Sequence, residues 1–175
     1  MDAAYSSVAP LLEDVDEPIM IIAGGSPSFT VHAQRSDVYL SPGTNVLWDW
    51  GYGSRLLDQP FLHAALIFTR VISKPSPGIV TIDLGHKAVS AENPIDKRFQ
   101  LLNLNGYTVI SQSEEHGVLR VDEELWADVK IGQALYALPY HICPTVALHD
   151  FATVIEDGAP VGEWRIEGRS RRITI

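Results

Sequence analysis

The chain has 175 residues, 22 acidic against 13 basic, a formal net charge of −9 and a 46% hydrophobic share. That charge excludes general nucleic-acid binding, which needs a basic surplus to neutralise phosphates, and the composition excludes wholesale disorder. No run of about 18 apolar residues is present to cross a membrane, Met1-Asp2-Ala3-Ala4 does not read as a secretory signal, and one cysteine permits no internal disulfide, so a soluble, cytoplasmic protein is expected.

In chain order, residues 1–17 are polar and mixed, with Val8-Ala9-Pro10-Leu11-Leu12 as their apolar cluster, which reads as the end of a helix. Pro18-Ile19-Met20-Ile21-Ile22-Ala23 is a continuous apolar run, the pattern of a parallel strand buried on both faces. It ends in Gly24-Gly25-Ser26-Pro27-Ser28, where glycines let backbone amides approach an anion closely. The same residues also make a plain turn, and they do not match the Gly-rich nucleotide fingerprints. A second strand, Val46-Leu47-Trp48-Asp49-Trp50, is expected after the turn Ser41-Pro42-Gly43-Thr44.

After Pro60 the chain becomes β-branched. Strands are predicted at Ala64 to Ile72 and Gly78 to Leu84, separated by a proline-rich turn at Ser73-Lys74-Pro75-Ser76-Pro77. Further strands are read at Tyr107-Thr108-Val109-Ile110, after the tight turn Asn105-Gly106, and at Gly117 to Val121. Asp128 to Leu138 leads into Pro139-Tyr140-His141-Ile142-Cys143-Pro144-Thr145, and Ala152 to Ile155 with Glu163 to Ile166 forms a hairpin with a turn of several residues. Many short strands and few helical patterns predict a mainly β protein, with a β-barrel or sandwich from about residue 60. Arg169-Ser170-Arg171-Arg172 is a small basic cluster that reads as a solvated edge.

The lone cysteine lies two positions from a histidine and between two prolines. If the run is extended, His141 and Cys143 leave the same face. The prolines bias Leu138 and Cys143 away from helix. Imidazole nitrogen with thiolate sulfur suits a borderline-soft ion such as zinc. Two ligands are too few for a closed structural site, so other groups, solvent or substrate must complete it. The competing reading is a free cysteine packed as a small hydrophobe. Ser113-Glu114-Glu115-His116-Gly117 offers a ligand, a general base or a carboxylate that orients an imidazole, and equally an ordinary surface loop. His86 and Lys87 follow a strand end, whereas His63 and His149 sit in apolar contexts that favour packed core histidines.

Taken together, Ile82-Asp83-Leu84-Gly85-His86-Lys87, Ser113 to Gly117 and Pro139 to Thr145 resemble, in this order, the C-terminal domain of the D-serine dehydratase and D-threonine aldolase family. Gly24 to Pro27, Ser41 to Thr44 and Leu47-Trp48-Asp49 resemble the stretch that precedes it, so the resemblance runs from about residue 19 to 172. It implies a fold-type III pyridoxal-phosphate enzyme, in which a (β/α)8 barrel carries the cofactor and a C-terminal β-domain carries a metal. On this basis residues 1–58 are a remnant of the barrel, represented by its last strands at 19–23 and 45–50, and residues 59–175 are the metal-binding β-domain. By the same resemblance His141 and Cys143 match the ligands of zinc (or manganese), and Gly24, Gly25 and Ser26 match a loop near the phosphate of pyridoxal 5'-phosphate. The family's Schiff-base lysine matches none of Lys74, Lys87, Lys97 and Lys130, which implies a truncated barrel and a chain inactive alone. The substrate implied is a D-3-hydroxy amino acid. The partners implied are a second copy of this chain or a separate barrel polypeptide, and the alternative is a non-catalytic dimerisation module. In this family cysteine at position 143 suits the dehydratase branch.

Overall fold

The computed structural model describes residues 2–170 and 172. Strands β1 (Ile67–Ser76), β2 (Ile79–Ile82), β3 (Phe99–Leu101), β4 (Tyr107–Gln112), β5 (Gly117–Val121) and β6 (Ala134–Pro139) form one antiparallel sheet in the order β3-β6-β1-β2-β5-β4. Its register follows the alternation in the sequence. In β5, Gly117, Leu119 and Val121 face the core while Arg120 is exposed, as a period of two requires. Strand β1 is long enough to serve two neighbours. Ile67 to Arg70 pair with β6, and Val71 to Ser76 pair with β2 through two register shifts. Such irregularities bend a strand and increase its twist, and here the sheet curls about β1. Its edge strands are tied by side chains: the Leu101 N–H donates to the Tyr107 hydroxyl at 2.8 Å, and Arg98 Nη1 donates to Gln112 Oε1 at 2.8 Å.

Inside the curl lie Val71, Val80, Ile82, Leu84, Phe99, Leu119 and Leu135 with their neighbours, in one buried cluster. Helix α4 (Glu123–Asp128) is capped by Asp122, whose carboxylate accepts the Leu125 N–H at 2.7 Å, and its Trp126 donates Nε1–H to the Ile79 carbonyl. The expected proline-rich turn is shorter than its sequence: Ser73 to Ser76 continue β1, because an edge position or a bulge tolerates proline. Gly78, at φ +75°, makes the reversal. The C-terminal hairpin is confirmed as β7 (Phe151–Glu156) and β8 (Ala159–Arg165), with a tight turn at Asp157-Gly158 in place of a longer one. Of the basic cluster, Arg169 Nη1 donates to the Ala147 carbonyl, and Arg171 lies outside the described residues.

The first 60 residues differ most from expectation. Helix α1 (Asp2–Glu13) ends just after the Val8 to Leu12 cluster, as read, and the departures begin beyond it. The strand expected at 19–23 is reduced to one parallel bridge, Ile22 to Tyr39, with the Ala23 N–H on the Tyr39 carbonyl at 2.8 Å. The pairing sense is as read, but the burial is not: Ile19, Met20 and Ile22 are exposed. The strand expected at 46–50 does not form. A 3-10 turn at Thr44–Val46 is followed by Trp48, at φ +54°, and then by α3 (Trp50–Gly53). The cause is Asp49, an N-cap residue whose carboxylate satisfies a helix-starting amide that a strand would pair with a neighbour.

Candidate functional site

The Asp49 side chain is 2% exposed, and each of its oxygens accepts a backbone N–H from a different helix start. Oδ1 accepts from Tyr52 of α3 at 2.8 Å, and Oδ2 accepts from Ile142 of α5 (Ile142–Val146) at 3.0 Å. A backbone bond runs beside them, from the Gly51 N–H to the Tyr140 carbonyl at 2.9 Å. A Cβ at Gly51 would lie 2.5 Å from that carbonyl oxygen, so the approach needs glycine. The chain is thereby folded back on itself at the HisXCys run.

This corrects the local geometry expected for that run. Pro139 ends β6, His141 is the extended N-cap residue of α5, and Cys143 and Pro144 lie in its first turn. Proline is tolerated there because the first N–H groups of a helix have no intrahelical partner. The prolines therefore do not enforce an extended segment, and the same-face argument for His141 and Cys143 does not apply. Both residues stand at one helix start, whose first N–H is capped by Asp49. His141 is half-exposed, its Nδ1 is 2.6 Å from Glu92 Oε1, and its carbonyl accepts the Thr145 hydroxyl at 2.7 Å. Cys143 is exposed, with its sulfur 3.2 Å from the Thr44 hydroxyl. The competing reading of Cys143 as a packed core hydrophobe is excluded by that exposure.

Thr44 also links the two expected site segments. Its N–H donates to the buried Ser26 hydroxyl at 2.9 Å, so Ser26, Thr44 and Cys143 form a chain of polar contacts. The Gly24-Gly25-Ser26 loop turns into α2 (Phe29–His32), with the Ser28 and Phe29 N–H groups both on the Gly25 carbonyl. Gly24 is at φ +83°, and a Cβ there would meet the Phe29 backbone. Among the described residues the N–H groups of Gly25 and Ser26 have no intramolecular partner, and Gly25 is exposed.

A small polar pocket of about 140 Å³ is lined by Asp49, Tyr52, Arg55, Asn93, Tyr140 and His141. Arg55 donates Nε–H to the Gly51 carbonyl at 2.8 Å and lies near the Tyr52 and Tyr140 rings. Among the described residues no group of three or more His, Cys, Asp or Glu side chains is placed to hold a metal. The imidazole of His141 and the thiol of Cys143 are donor types that zinc accepts.

The other candidates are accounted for by the fold. Gly85 packs on the Glu114 backbone so closely that a Cβ would overlap it, and the His86 and Lys87 N–H groups donate to the Ser113 and Glu114 carbonyls. Lys87 Nζ contacts Glu114 Oε2 at 2.6 Å and Glu115 Oε1 at 3.0 Å, and these carboxylates push its pKa up to about 12. Asp83 binds the Thr69 hydroxyl and the Arg70 guanidinium; burial pushes its pKa up, but these bonds and the Arg70 N–H together hold it below the usual value. The two motifs thus grip each other and tie β1, β2 and β5 together. His63 and His149 are not core histidines: His63 is exposed with Nε2 at the Asp49 carbonyl, and His149 Nε2 meets the Ala88 carbonyl. Sequence reasoning missed Asp49, Thr44 and Glu92. Asp49 stands one residue before Trp50-Gly51-Tyr52-Gly53, a capping signal overridden by the apolar run around it. Glu92, 49 positions from His141, has no local signal.

The profile of the serine dehydratase domain family matches residues 64–155. D-threonine aldolase of Arthrobacter sp is 33% identical over 168 residues, a match that covers 94% of this chain and 43% of that protein. The crystal structure of D-threonine aldolase from Filomicrobium marinum superposes with a TM-score of 0.77 at 24% identity, over 96% of this chain and 46% of that one. D-threo-3-hydroxyaspartate dehydratase from Delftia sp. HT23 gives 0.72 at 20% identity, over 91% and 48%. Structures of D-threo-3-hydroxyaspartate dehydratase variants match as well, with TM-scores of 0.71 and 0.65: one replaces a histidine by alanine, the other a cysteine, and the second is described as metal-free. A single residue separates the two altered positions. The chain spans a little under half the length of these relatives. No helix among the described residues is long and apolar enough to cross a membrane.

Loss of the Asp49 carboxylate removes a cap and a charged hydrogen bond from a buried position. Asp49→Ala is expected to cost roughly 2–4 kcal/mol in urea unfolding. Asp49→Asn, which keeps only one acceptor, is expected to fall between it and the parent. Equal stability of all three proteins would show that the double cap does not hold the site.

Proposed function

Because the chain belongs to the D-serine dehydratase and D-threonine aldolase family of fold-type III pyridoxal-phosphate enzymes, we propose that it is the metal-binding β-domain of a lyase acting on D-3-hydroxy amino acids. One observation carries the reading: an exposed thiol and a half-exposed imidazole, one residue apart, stand at a single capped helix start. The same separation divides the histidine and cysteine altered in the dehydratase variants. Aldolases and a dehydratase stand alike among the relatives, so the proposal rests on what their substrates share, a hydroxyl beside the carbon that carries the amine.

Zinc (or manganese), when bound, supplies Lewis-acid polarisation of that hydroxyl. Pyridoxal 5'-phosphate, when bound, supplies the electron sink for the substrate's α-carbon. The chain's own residues do the holding. His141 and Cys143 are the metal ligands, and the Thr44 hydroxyl donates to the Cys143 sulfur once the thiol is ionised. Asp49 fixes the helix start that carries both. The free N–H groups of Gly25 and Ser26 are donors for the cofactor phosphate, and the Ser26 hydroxyl joins that loop through Thr44 to the metal side. Exposed Ile19, Met20 and Ile22 beside this loop match a segment that packs against further barrel structure. Lys87 is held by Glu114 and Glu115, and Lys74 by the Val129 carbonyl.

A second reading, a dimerisation module, is favoured by the β7–β8 hairpin. Both its strands face solvent, with Phe151, Ile155, Val161 and Trp164 exposed. An isolated two-stranded hairpin is marginal in water, so contact with a second copy would stabilise it. Sedimentation of the purified chain is expected to show a dimer that Trp164→Glu dissociates; a monomer at micromolar concentration would remove this reading.

The metal reading predicts about one zinc per chain after equilibration and desalting, with most of it lost in the His141→Ala/Cys143→Ala double variant. Equal metal content in parent and variant would refute it.

A further inference from the structure

We infer that Glu92 is the positioning residue of the metal site, the group that fixes which nitrogen of His141 faces the ion. The inference rests on the metal reading of His141 and Cys143. A carboxylate oxygen accepts, so the 2.6 Å contact favours the tautomer of the neutral ring with its hydrogen on Nδ1, the one that presents the Nε2 lone pair to an ion. Metal-bound histidines commonly hand their second N–H to a carboxylate in this way, which sets the ring's orientation and basicity.

Glu92 is itself held. Asn93 Nδ2 donates to the same Oε1 at 3.0 Å, and the Asn93 carbonyl accepts Arg98 Nε–H at 3.1 Å. The connection between β2 and β3 that carries Glu92 is anchored to the α5 region at three further points. The Ser90 N–H donates to the Thr145 hydroxyl at 3.2 Å, the Tyr140 N–H donates to the Arg98 carbonyl at 2.9 Å, and His149 Nε2 contacts the Ala88 carbonyl at 2.8 Å. The carboxylate therefore meets the imidazole from a frame built against the same helix. Its purpose is not stability: the side chains are 47% and 43% exposed, and polar contacts between solvent-exposed side chains add little to folding. An arrangement with three anchors around a pair worth so little to folding fits orientation of the ring.

The test uses the purified chain with Glu92→Ala, Glu92→Gln and His141→Ala, each checked for parental circular dichroism. Zinc affinity is measured by chelator competition. Glu92→Ala is expected to bind zinc about 10- to 100-fold more weakly than the parent. Glu92→Gln keeps an oxygen for Nδ1–H and is expected to lose less. Long-range 1H–15N correlation of the metal-free chain, recorded where the ring is neutral, is expected to find the His141 proton on Nδ1 in the parent and redistributed to Nε2 in Glu92→Ala. Parental zinc affinity in Glu92→Ala, with His141→Ala impaired, overturns the role of Glu92 and leaves the metal reading intact. Parental affinity in His141→Ala overturns the metal reading itself. A parent imidazole protonated on Nε2 overturns the role of Glu92 whatever the metal does.

Discussion

A buried carboxylate shared between two helix starts is the constraint on which the site depends. Burying an ionised group is costly unless hydrogen bonds replace its water, and Asp49 meets that condition with one backbone N–H on each oxygen. The two donors, Tyr52 and Ile142, belong to segments on opposite sides of the β-sheet's sequence. Satisfying this single side chain therefore brings the N-terminal loops against the end of β6. The Gly51 N–H on the Tyr140 carbonyl closes the same junction. His141 and Cys143 follow directly, as the cap and the second residue of the helix that Asp49 starts.

Around this junction the site is assembled from three pieces of chain that are remote in sequence. Ser26 and Thr44 approach the thiol from the N-terminal side. Glu92 and Asn93 approach the imidazole from the connection between β2 and β3. The sheet supplies rigidity. The interlocked motifs at 82–87 and 113–117 hold β1, β2 and β5 in register, and a glycine at 85 is needed because the Glu114 backbone occupies the space of a side chain.

The strands β1, β2, β4, β5, β7 and β8 were legible because their patterns are strong, whereas the three-residue β3 (Phe99–Leu101) was not read and β6 was passed over as a lead-in to Pro139. Leu119 and Val121 alternate with Val118 and Arg120, and the turns at Gly78 and Gly158 sit where tight reversals are needed. The family was legible because three short motifs keep their order. The site's local geometry was not. Trp48, Asp49 and Trp50 read as a strand by hydrophobicity, yet one capping side chain decides for helix. Pro144 reads as a helix breaker, yet a first-turn position costs it no hydrogen bond. Ile19, Met20 and Ile22 form the run of a doubly buried strand, but among the described residues Ile22 alone of the three forms a bridge, to Tyr39. Glu92 could not have been found at all, since only the folded chain brings it to His141.

The central claim is that one ion is held by the imidazole and the thiolate that Asp49 brings to a single helix start. Cobalt(II) substitution tests it most directly, because a bound thiolate gives an intense near-ultraviolet sulfur-to-cobalt band and the visible bands report coordination geometry. The account predicts that band in the parent, its disappearance in Cys143→Ser, and a shifted visible spectrum in His141→Ala. A parent without the sulfur-to-cobalt band, or one whose spectrum is untouched by either substitution, would contradict it.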